Sequence, residues 1–465
     1  MHKNQDQIKA APWVESGNHF CNEEKWAEAT NCLLHALKID PYNPATHAFI
    51  ATIYKHQQMI EQAQSSYQRA HDLAPENPDY LYNLALFHQE TGNLPPAKTL
   101  YLTLLNKHPD HADANANLGL LYQDMNQTEL ARHYYEQDLK LRPDDADSHF
   151  NLALINLLTG NYEVGWHEYE WRFKRDVAKR TYPHTYKQPR WQGKSFSGKT
   201  LFIHGEQGFG DNLQFLRYLP LVKELGGKVI LETHRPLAPL IKDFPGIDKL
   251  LIYNPEQPAE TTFDYYAPLL SLPGIFKTTT SSIPAQTPLL KAPTQLCENW
   301  SLRLTSPRIK VALVWSGNTL RSCSAENFLP LCELVGFDFY GLQTGPPTKE
   351  SQVLHKCSGF QQNLGPELNS FADTAAIISQ LDLIITIDTA TAHLAGAMGH
   401  KVWVLLPFAP DWRWFLERSD SPWYPNMRLF RQPEPGNWQP VISLIKSELE
   451  QFGHHNLLEK LNKEC

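Results

Sequence analysis

Three stretches of the chain align without a gap: ATIYKHQQMIEQAQSSYQRAHDLAP (51–75), ALFHQETGNLPPAKTLYLTLLNKHP (85–109) and GLLYQDMNQTELARHYYEQDLKLRP (119–143). Each ends in proline, and together with Pro41 the prolines Pro75, Pro109 and Pro143 recur every 34 residues. Twelve residues before each stands an alanine: Ala29, Ala63, Ala97 and Ala131. Twenty-four before each stands another small residue: Gly17, Ala51, Ala85 and Gly119. Aromatic Phe20, Tyr54 and Tyr122 fill a matching column. Small residues at two fixed points let two helices of one unit approach closely. The proline ends the second helix, because it lacks an N–H and its ring clashes with the preceding turn. A unit of this length cannot bury its apolar face alone, so the period predicts a stacked array of helix pairs.

The pattern resembles the tetratricopeptide repeat. A fifth unit starts near Asp147 with Leu152, Ala153 and Gly160, then departs: its second helix reads NYEVGWHEYEWRF and no proline follows in place. A terminal repeat is often atypical because it caps the stack or docks on the next domain. Two readings of the array stand: a spacer or dimerisation surface, and a concave surface that holds a protein or peptide. Asp110, His111 and Asp113 look like metal ligands, but they fall at an inter-repeat turn, where solvated polar residues are expected.

The chain has 465 residues, beyond the roughly 250–300 at which one core stops growing, and about 150 per domain gives roughly three domains. With 42% hydrophobic and 20% charged residues, the composition excludes a disordered chain. Mean hydropathy is -0.43, and no run approaches the ~18 apolar residues of a membrane span. The first residues, MHKNQDQIKAAPWVESG, lack the apolar centre of a signal peptide. A net charge of -8 argues against a nucleic-acid backbone as the main partner. The seven cysteines form no C-x-x-C pair. That speaks against a zinc site or a disulfide framework and suits a reducing cytoplasm, the expected location.

After a basic, aromatic linker (RFKRDVAKRTYPHTYKQPRWQG), strands alternate with helices. TLFIHG (200–205), KVILET (228–233), KLLIYN (249–254) and FDYYAPLL from Phe263 read as strands of a first half, with a helix from Asp211 to Leu225. KVALVWSG (310–317), FDFYGLQT (337–344), LDLIITID (381–388) and KVWVLLP (401–407) read as strands of a second. Such alternation implies parallel sheets covered on both faces, here two Rossmann-like domains facing a cleft. The expected division is a repeat array over 1–173, a linker over 174–199, α/β halves over 200–307 and 308–452, and a tail over 453–465. Ligands of open α/β sheets sit beyond the carboxyl ends of the strands, so the motifs there carry the chemistry.

Four such motifs stand out. In HGEQGFGD (204–211), Gly208 and Gly210 allow a sharp turn and close backbone approach to a ligand. Asp211 is either a helix N-cap or a general base, kept ionised by the helix dipole and placed beside an acceptor hydroxyl rather than a phosphate. In DTATAHLAG (388–396), Asp388 ends a strand, and a helix start offers free N–H groups to a phosphate. There Thr389 and Thr391 add hydroxyls, Ala390 and Ala392 leave room, and His393 lies one turn in. The alternative is a capped helix with a satisfied histidine. In WSGNTLRS (315–322), Asn318 and Arg321 suit a diphosphate, unless the arginine is merely solvated. Gln343, last but one in FDFYGLQT at the next strand end, is a further substrate-binding candidate. In PFAPDWRWFLERSDSPWYPNMRLFRQ (407–432), Trp412, Trp414, Trp423 and Tyr424 stand among Arg413, Arg418, Arg428 and Arg431. Such residues stack on a base or sugar, or pack one domain on the other, the reading preferred for most of these rings.

No D-x-D pair occurs from Trp191 onward, so no divalent-ion seat is expected, and leaving-group charge falls to helix N–H groups and arginine. There is no G-x-x-x-x-G-K-[ST] phosphate loop. The second strand ends in Thr233 rather than an acid, which disfavours a dinucleotide site.

GFGDNLQFLRYLP (208–220) resembles the G-x-G-D…P start of glycosyltransferase family 9, the heptosyltransferase-like enzymes, and DTATAHLAGAMGHKVWVLL (388–406) resembles that family's D-[ST]-x-x-x-H-[LI]-A nucleotide-sugar segment. PDWRWFLERSDSPWYP is similar to the tail of bacterial proteins that fuse tetratricopeptide repeats to such a domain. The overall plan is also similar to that of the O-linked N-acetylglucosamine transferases. The resemblance implies a GT-B fold and metal-independent, inverting transfer from a nucleotide-sugar donor bound mainly by the C-terminal half. It makes Asp211 the candidate base, with Thr389, Ala390 and His393 along the donor and Arg321 nearby. Two departures count against heptose and a lipid acceptor: the loop after Trp315 carries Asn318 and Arg321 but no lysine, and lipopolysaccharide heptosyltransferases lack the repeats. A protein acceptor held by the repeats is expected instead. The alternatives are an interaction scaffold whose GT-B half is inactive, and a heptosyltransferase acting on a surface glycan.

Overall fold

The computed structural model describes the chain except Met1, 179–184, Pro255, 257–260, 319–320 and Cys465, with the backbone alone for 2–4, 347–348 and 455–464. Part of the expected linker, two residues of the WSGNTLRS loop and the last residue of the expected tail therefore lie outside the described residues. The chain divides into two compact units, Met1–Asn151 and Leu152–Cys465.

The first unit is the helical repeat array. Its helices are α1 (His2–Asn22), α2 (Trp26–Ile39), α3 (Pro44–His56), α4 (Ile60–Leu73), α5 (Pro78–Glu90), α6 (Leu94–Lys107), α7 (Ala112–Asp124) and α8 (Thr128–Leu141), followed by the start of α9 (Ala146–Leu158). The alanine column Ala29, Ala63, Ala97 and Ala131 is wholly buried, as are Ala51 and Ala85. The tyrosines Tyr67, Tyr101 and Tyr135 of the second helices lie buried as well, Tyr67 against Ala51 and Phe87. Each prolyl residue follows its helix by two positions. Between the paired helices the chain passes through the left-handed region at Glu24, Gln58, Gly92 and Asn126, again one per repeat. Gly92 and Asn126 are residue types that favour that conformation, as is Gly160 one period on.

The second unit holds two parallel sheets. In the first, β1 (Thr200–His204), β2 (Lys228–Thr233), β3 (Lys249–Ile252) and β4 (Tyr265–Pro268) run in the order β3-β2-β1-β4. In the second, β5 (Ile309–Val314), β6 (Phe337–Gly341), β7 (Phe360–Asn363), β8 (Leu383–Ile387), β9 (Val402–Leu406) and β10 (Met427–Arg431) run in the order β10-β9-β8-β5-β6-β7. Every pairing is parallel. β8 and β9 are buried throughout, as the continuous apolar runs of a two-face-covered parallel sheet require. In both sheets the strand order reverses beside the first strand, between β1 and β4 and between β5 and β8. A crevice for a ligand opens at such a point, outside the carboxyl ends of the strands. The fold is thus a tetratricopeptide-type array followed by two Rossmann-like α/β domains.

The fifth repeat's second helix, α10 (Tyr162–Tyr169), and the 3-10 turn Glu170–Phe173 lie within the second unit. The Trp166 indole N–H donates to the Thr278 carbonyl at 2.9 Å, and its ring meets Trp412 edge-on at 5.3 Å.

Local structure departs from the sequence reading in three places. The expected helix Asp211–Leu225 starts two residues earlier and is broken into α11 (Phe209–Phe215), a 3-10 turn (Leu216–Tyr218) and α12 (Leu219–Glu224). Pro220 explains the break: without an N–H it fits only the first turn of a new helix. Two strands were absent from the reading, β7 (FQQN) and β10 (MRLFR). β10 falls inside the fourth motif, where Arg428 instead pairs with Glu448 at 2.8 Å.

Candidate functional site

The crevice in the second sheet is shaped by the loops after β5, β6 and β8. Gln343, buried after β6, accepts the Ser316 N–H at 2.9 Å and the Trp315 N–H at 3.2 Å, and donates to the Ser316 carbonyl at 3.1 Å. It therefore fixes the loop after β5 rather than standing free. After β8, Thr389 takes the N-cap position of α14 (Ala390–Ala397), with α13 (Phe371–Ile378) one helix earlier. Its hydroxyl does not cap the helix but lies 3.1 Å from that of Thr386.

These elements enclose a cavity of about 400 Å³. Gly317, Gln343, Thr389, Ala390 and Thr391 line it from the second sheet, with Ser316, Thr344 and Ser370. Phe209 and Pro236 close it from the first sheet. The two halves touch here: the Phe371 N–H donates to the Pro236 carbonyl at 3.0 Å, and Phe209 meets Phe371 edge-on at 5.2 Å.

A chain of buried and half-buried ions crosses from one half to the other beside α14. Arg413 pairs with Asp211 through Nη2 and with Asp411 through Nη1 at 2.7 Å. Its Nε donates to Gln214 on α11. Arg321 pairs with Asp411 at 3.1 Å and with Asp388 at 2.7 Å. Burial works against charge at Arg321, Asp388, Asp411 and Arg413. It pushes the Asp388 carboxyl up to about 6, Arg321 offsetting only part of it. At Asp411, Arg413 and Arg321 outweigh burial and hold the carboxyl down at about 2. Burial, reinforced by Arg413, holds His393 well below its ordinary value, so its ring is neutral near pH 7. The ring stacks on Trp414 with centroids 5.4 Å apart, and Nδ1 lies 2.9 Å from the Tyr424 hydroxyl.

The sequence-derived candidates therefore fall into two groups. Gln343, Thr389, Ala390 and Thr391 share the cavity. Asp211, Arg321 and Asp388 share the ion chain, and His393 lies buried beside it. Asn318 is exposed in its loop, where its carbonyl accepts the Arg321 N–H at 2.9 Å. Gly208 is the N-cap of α11, and its N–H donates to Asp211 Oδ2 at 2.9 Å. Asp211 is thus the third residue of the helix rather than its cap, and both its oxygens are engaged. Gly210 serves helix packing: a Cβ there meets the His393 ring at 2.8 Å, so its lack of a side chain lets α11 lie directly on α14.

In the fourth motif, Trp412, Trp414, Trp423 and Tyr424 are buried, as packing of the halves requires. Arg431 bonds the carbonyls of Trp414, Phe415 and Arg418. The cavity residues that the sequence reading missed include Phe209, Pro236, Ser316, Thr344, Ser370 and Phe371. Only Ser370 had a signal: Ser-x-x-Asp before an apolar run is a helix start, and its Oγ accepts the Asp373 N–H. Among the described residues, no group of three or more His, Cys, Asp or Glu side chains is placed to hold a metal ion.

Comparison with known proteins agrees with the repeats. Two tetratricopeptide-repeat models match, over residues 56–121 and 116–164. Protein FlbA of Caulobacter vibrioides is 30% identical over 289 residues, 57% of this chain and 48% of that protein. The chain thus spans about half the length of this curated relative. Among solved structures, MamA aligns with 38% of this chain and 97% of its own at 18% identity and a TM-score of 0.33. YrrB, described as a tetratricopeptide-repeat protein with an unusual peptide-binding site, aligns with 36% of this chain and 85% of its own at 16% identity and a TM-score of 0.31. The chain carries tetratricopeptide repeats in its N-terminal region, ahead of two parallel α/β sheets consistent with a GT-B-like pair.

Proposed function

We propose that this chain is a glycosyltransferase of the family 9 type, which moves a sugar from a nucleotide-sugar donor to a protein or peptide held by the repeats, with inversion and without a metal. The observation that carries this reading is the cavity of about 400 Å³ at the strand ends of the second sheet, closed by the first. Donor binding falls to 308–452, the acceptor side to 200–307 and acceptor holding to the array within 1–173, with 174–199 as a linker and 453–465 as a tail. The reaction takes place in the cytoplasm.

In this mechanism the donor diphosphate lies at the start of α14, where backbone N–H groups and the helix dipole favour an anion. Thr389 and Thr391 supply hydroxyl donors, and small Ala390 leaves room. Gln343 holds the loop carrying Gly317 and Asn318 against the donor. The acceptor oxygen attacks the anomeric carbon opposite the diphosphate. The new C–O bond forms as the bond to the leaving oxygen breaks, and the acceptor proton passes to Asp211. The leaving-group charge falls to the N–H groups at the start of α14, because Arg321 and Arg413 are held by Asp388, Asp411 and Asp211.

A second reading, an interaction scaffold without transfer activity, gains support from one observation: Arg413 and the Gly208 N–H occupy both oxygens of Asp211. Thermal shift with a panel of nucleoside diphosphates, followed by product mass on candidate acceptors, separates the two. A ligand that binds the native state raises its stability by mass action. The enzyme reading expects a shift and a mass increment of one sugar; a shift without product supports the scaffold.

A further inference from the structure

The Gly-rich turn between β1 and α11 takes its shape from residues of neither element. Glu206 is buried in that turn. Its Oε2 accepts from Arg172 Nε at 3.0 Å, and its Oε1 from Arg172 Nη2 at 2.8 Å and the Leu270 N–H at 3.1 Å. Arg172, at the end of the fifth repeat, is 1% exposed. Its other donors go to the Tyr169 carbonyl at 3.2 Å, Glu170 at 2.9 Å and the Ser271 hydroxyl at 2.7 Å. A guanidinium has five N–H donors in a fixed fork, and here all five are used.

Gln207, the next residue of the turn, sits at φ +58, a left-handed conformation that costs a non-glycine residue energy and persists only where its surroundings impose it. The Tyr169 hydroxyl accepts its side-chain amide at 3.1 Å. Gly208 follows, and its N–H holds Asp211. Removing two ions from water is costly, and well-packed hydrophobic residues often fill such a space at no loss of stability. A bidentate, fully satisfied pair supplies what an apolar contact lacks, a fixed orientation.

We propose that Arg172, assisted by Tyr169, is a positioning residue: the end of the fifth repeat clamps the Gly-rich turn and so sets where Asp211 stands against α14. The clamp is read from the geometry alone; its effect on turnover rests on the glycosyltransferase reading. Arg172 touches no substrate in this account and acts through Glu206 and the turn.

The test uses the full chain with Arg172→Lys and with the paired replacement Arg172→Met with Glu206→Leu, which refills the buried space without leaving a lone charge. The paired variant should fold, bind nucleoside diphosphate within threefold of wild type, and exchange the amides of 208–212 at least tenfold faster, with those of α14 unchanged. Turnover should fall at least tenfold with the donor KM within threefold. Arg172→Lys should not restore it, because an ammonium cannot bridge both oxygens of Glu206 and reach Ser271 as well. Unchanged exchange in 208–212 overturns the clamp. Faster exchange with unchanged turnover overturns its positioning role. Faster exchange in a protein whose wild type binds no nucleotide and transfers no sugar upholds the clamp and rejects the glycosyltransferase reading.

Discussion

Replacing Asp211 by asparagine separates a catalytic carboxylate from a structural one, provided stability and turnover are measured apart. In the structure Asp211 accepts the Gly208 N–H at 2.9 Å and pairs with Arg413. An asparagine keeps one acceptor oxygen, so it can hold either Gly208 or Arg413. The lost bond is charge-assisted, worth about 1.5–3 kcal/mol. Arg413 retains Asp411 at 2.7 Å and is not orphaned, so the loss should lie toward the lower end of that range. A unit of 150–250 residues loses about 2–4 °C per kcal/mol and a larger one less, so melting should fall by a few degrees under either account. Turnover per folded molecule is what differs. A positioned general base is worth about 10²–10⁴-fold, so Asp211→Asn should lower turnover by that factor and leave nucleotide affinity within threefold. The assay is initial-rate transfer at a temperature where both proteins are fully folded, with calorimetry for the nucleotide. Turnover within threefold of wild type would refute the base and leave Asp211 a purely structural carboxylate.

Asp388→Asn tests the buried ion chain through pH. The Asp388 carboxyl lies at about 6 in the folded protein, above the ~3.9 of an unfolded chain. The folded state therefore keeps a proton that the unfolded state releases, and this group's contribution to stability falls as pH rises from about 4 to 6 and is flat above. The variant should lose that slope, at most about 3 kcal/mol across the window, in denaturant titrations at several pH values; an unchanged slope contradicts the assignment. In the array, Gly119→Ala puts a Cβ 2.8 Å from the buried Tyr135 ring and should cost about 1–3 kcal/mol by overpacking, despite alanine's better helix propensity. A higher melting temperature would show that the helix pair is not packed as described. Removing residues 1–145 should leave a soluble protein that binds nucleotide within threefold of full length but no longer captures its protein acceptor; transfer to that acceptor at the full rate would take acceptor holding away from the repeats.

The array was legible because its period acts four times over: proline, alanine, small residue and aromatic recur at one spacing, and each column has a local physical cause. Most strands were legible as well, since KVILET and LIITI are short apolar runs bounded by turns. FQQN was not, because β7 is an edge strand whose middle residues face water. MRLFR was hidden among aromatic and arginine residues that suited several roles. The helix starts at Thr389 and near Asp211 were readable from strand-to-helix transitions. What surrounds them was not. Asp211 meets Arg413 across 202 positions of chain, and Trp166 meets Thr278 across 112. No local pattern encodes such pairs. The sequence offered Arg321 to a diphosphate or to solvent and Arg413 to a base, a sugar or domain packing, whereas the structure engages both with aspartates.

The most direct measurement is calorimetric binding of nucleoside diphosphates to the full chain and to Thr389→Leu, whose larger apolar side chain enters the cavity at the start of α14. The account predicts that at least one nucleoside diphosphate binds the wild type and that Thr389→Leu, with unchanged melting, weakens it at least tenfold, about 1.4 kcal/mol. Absence of binding across the panel, or equal affinity in the variant, would contradict it.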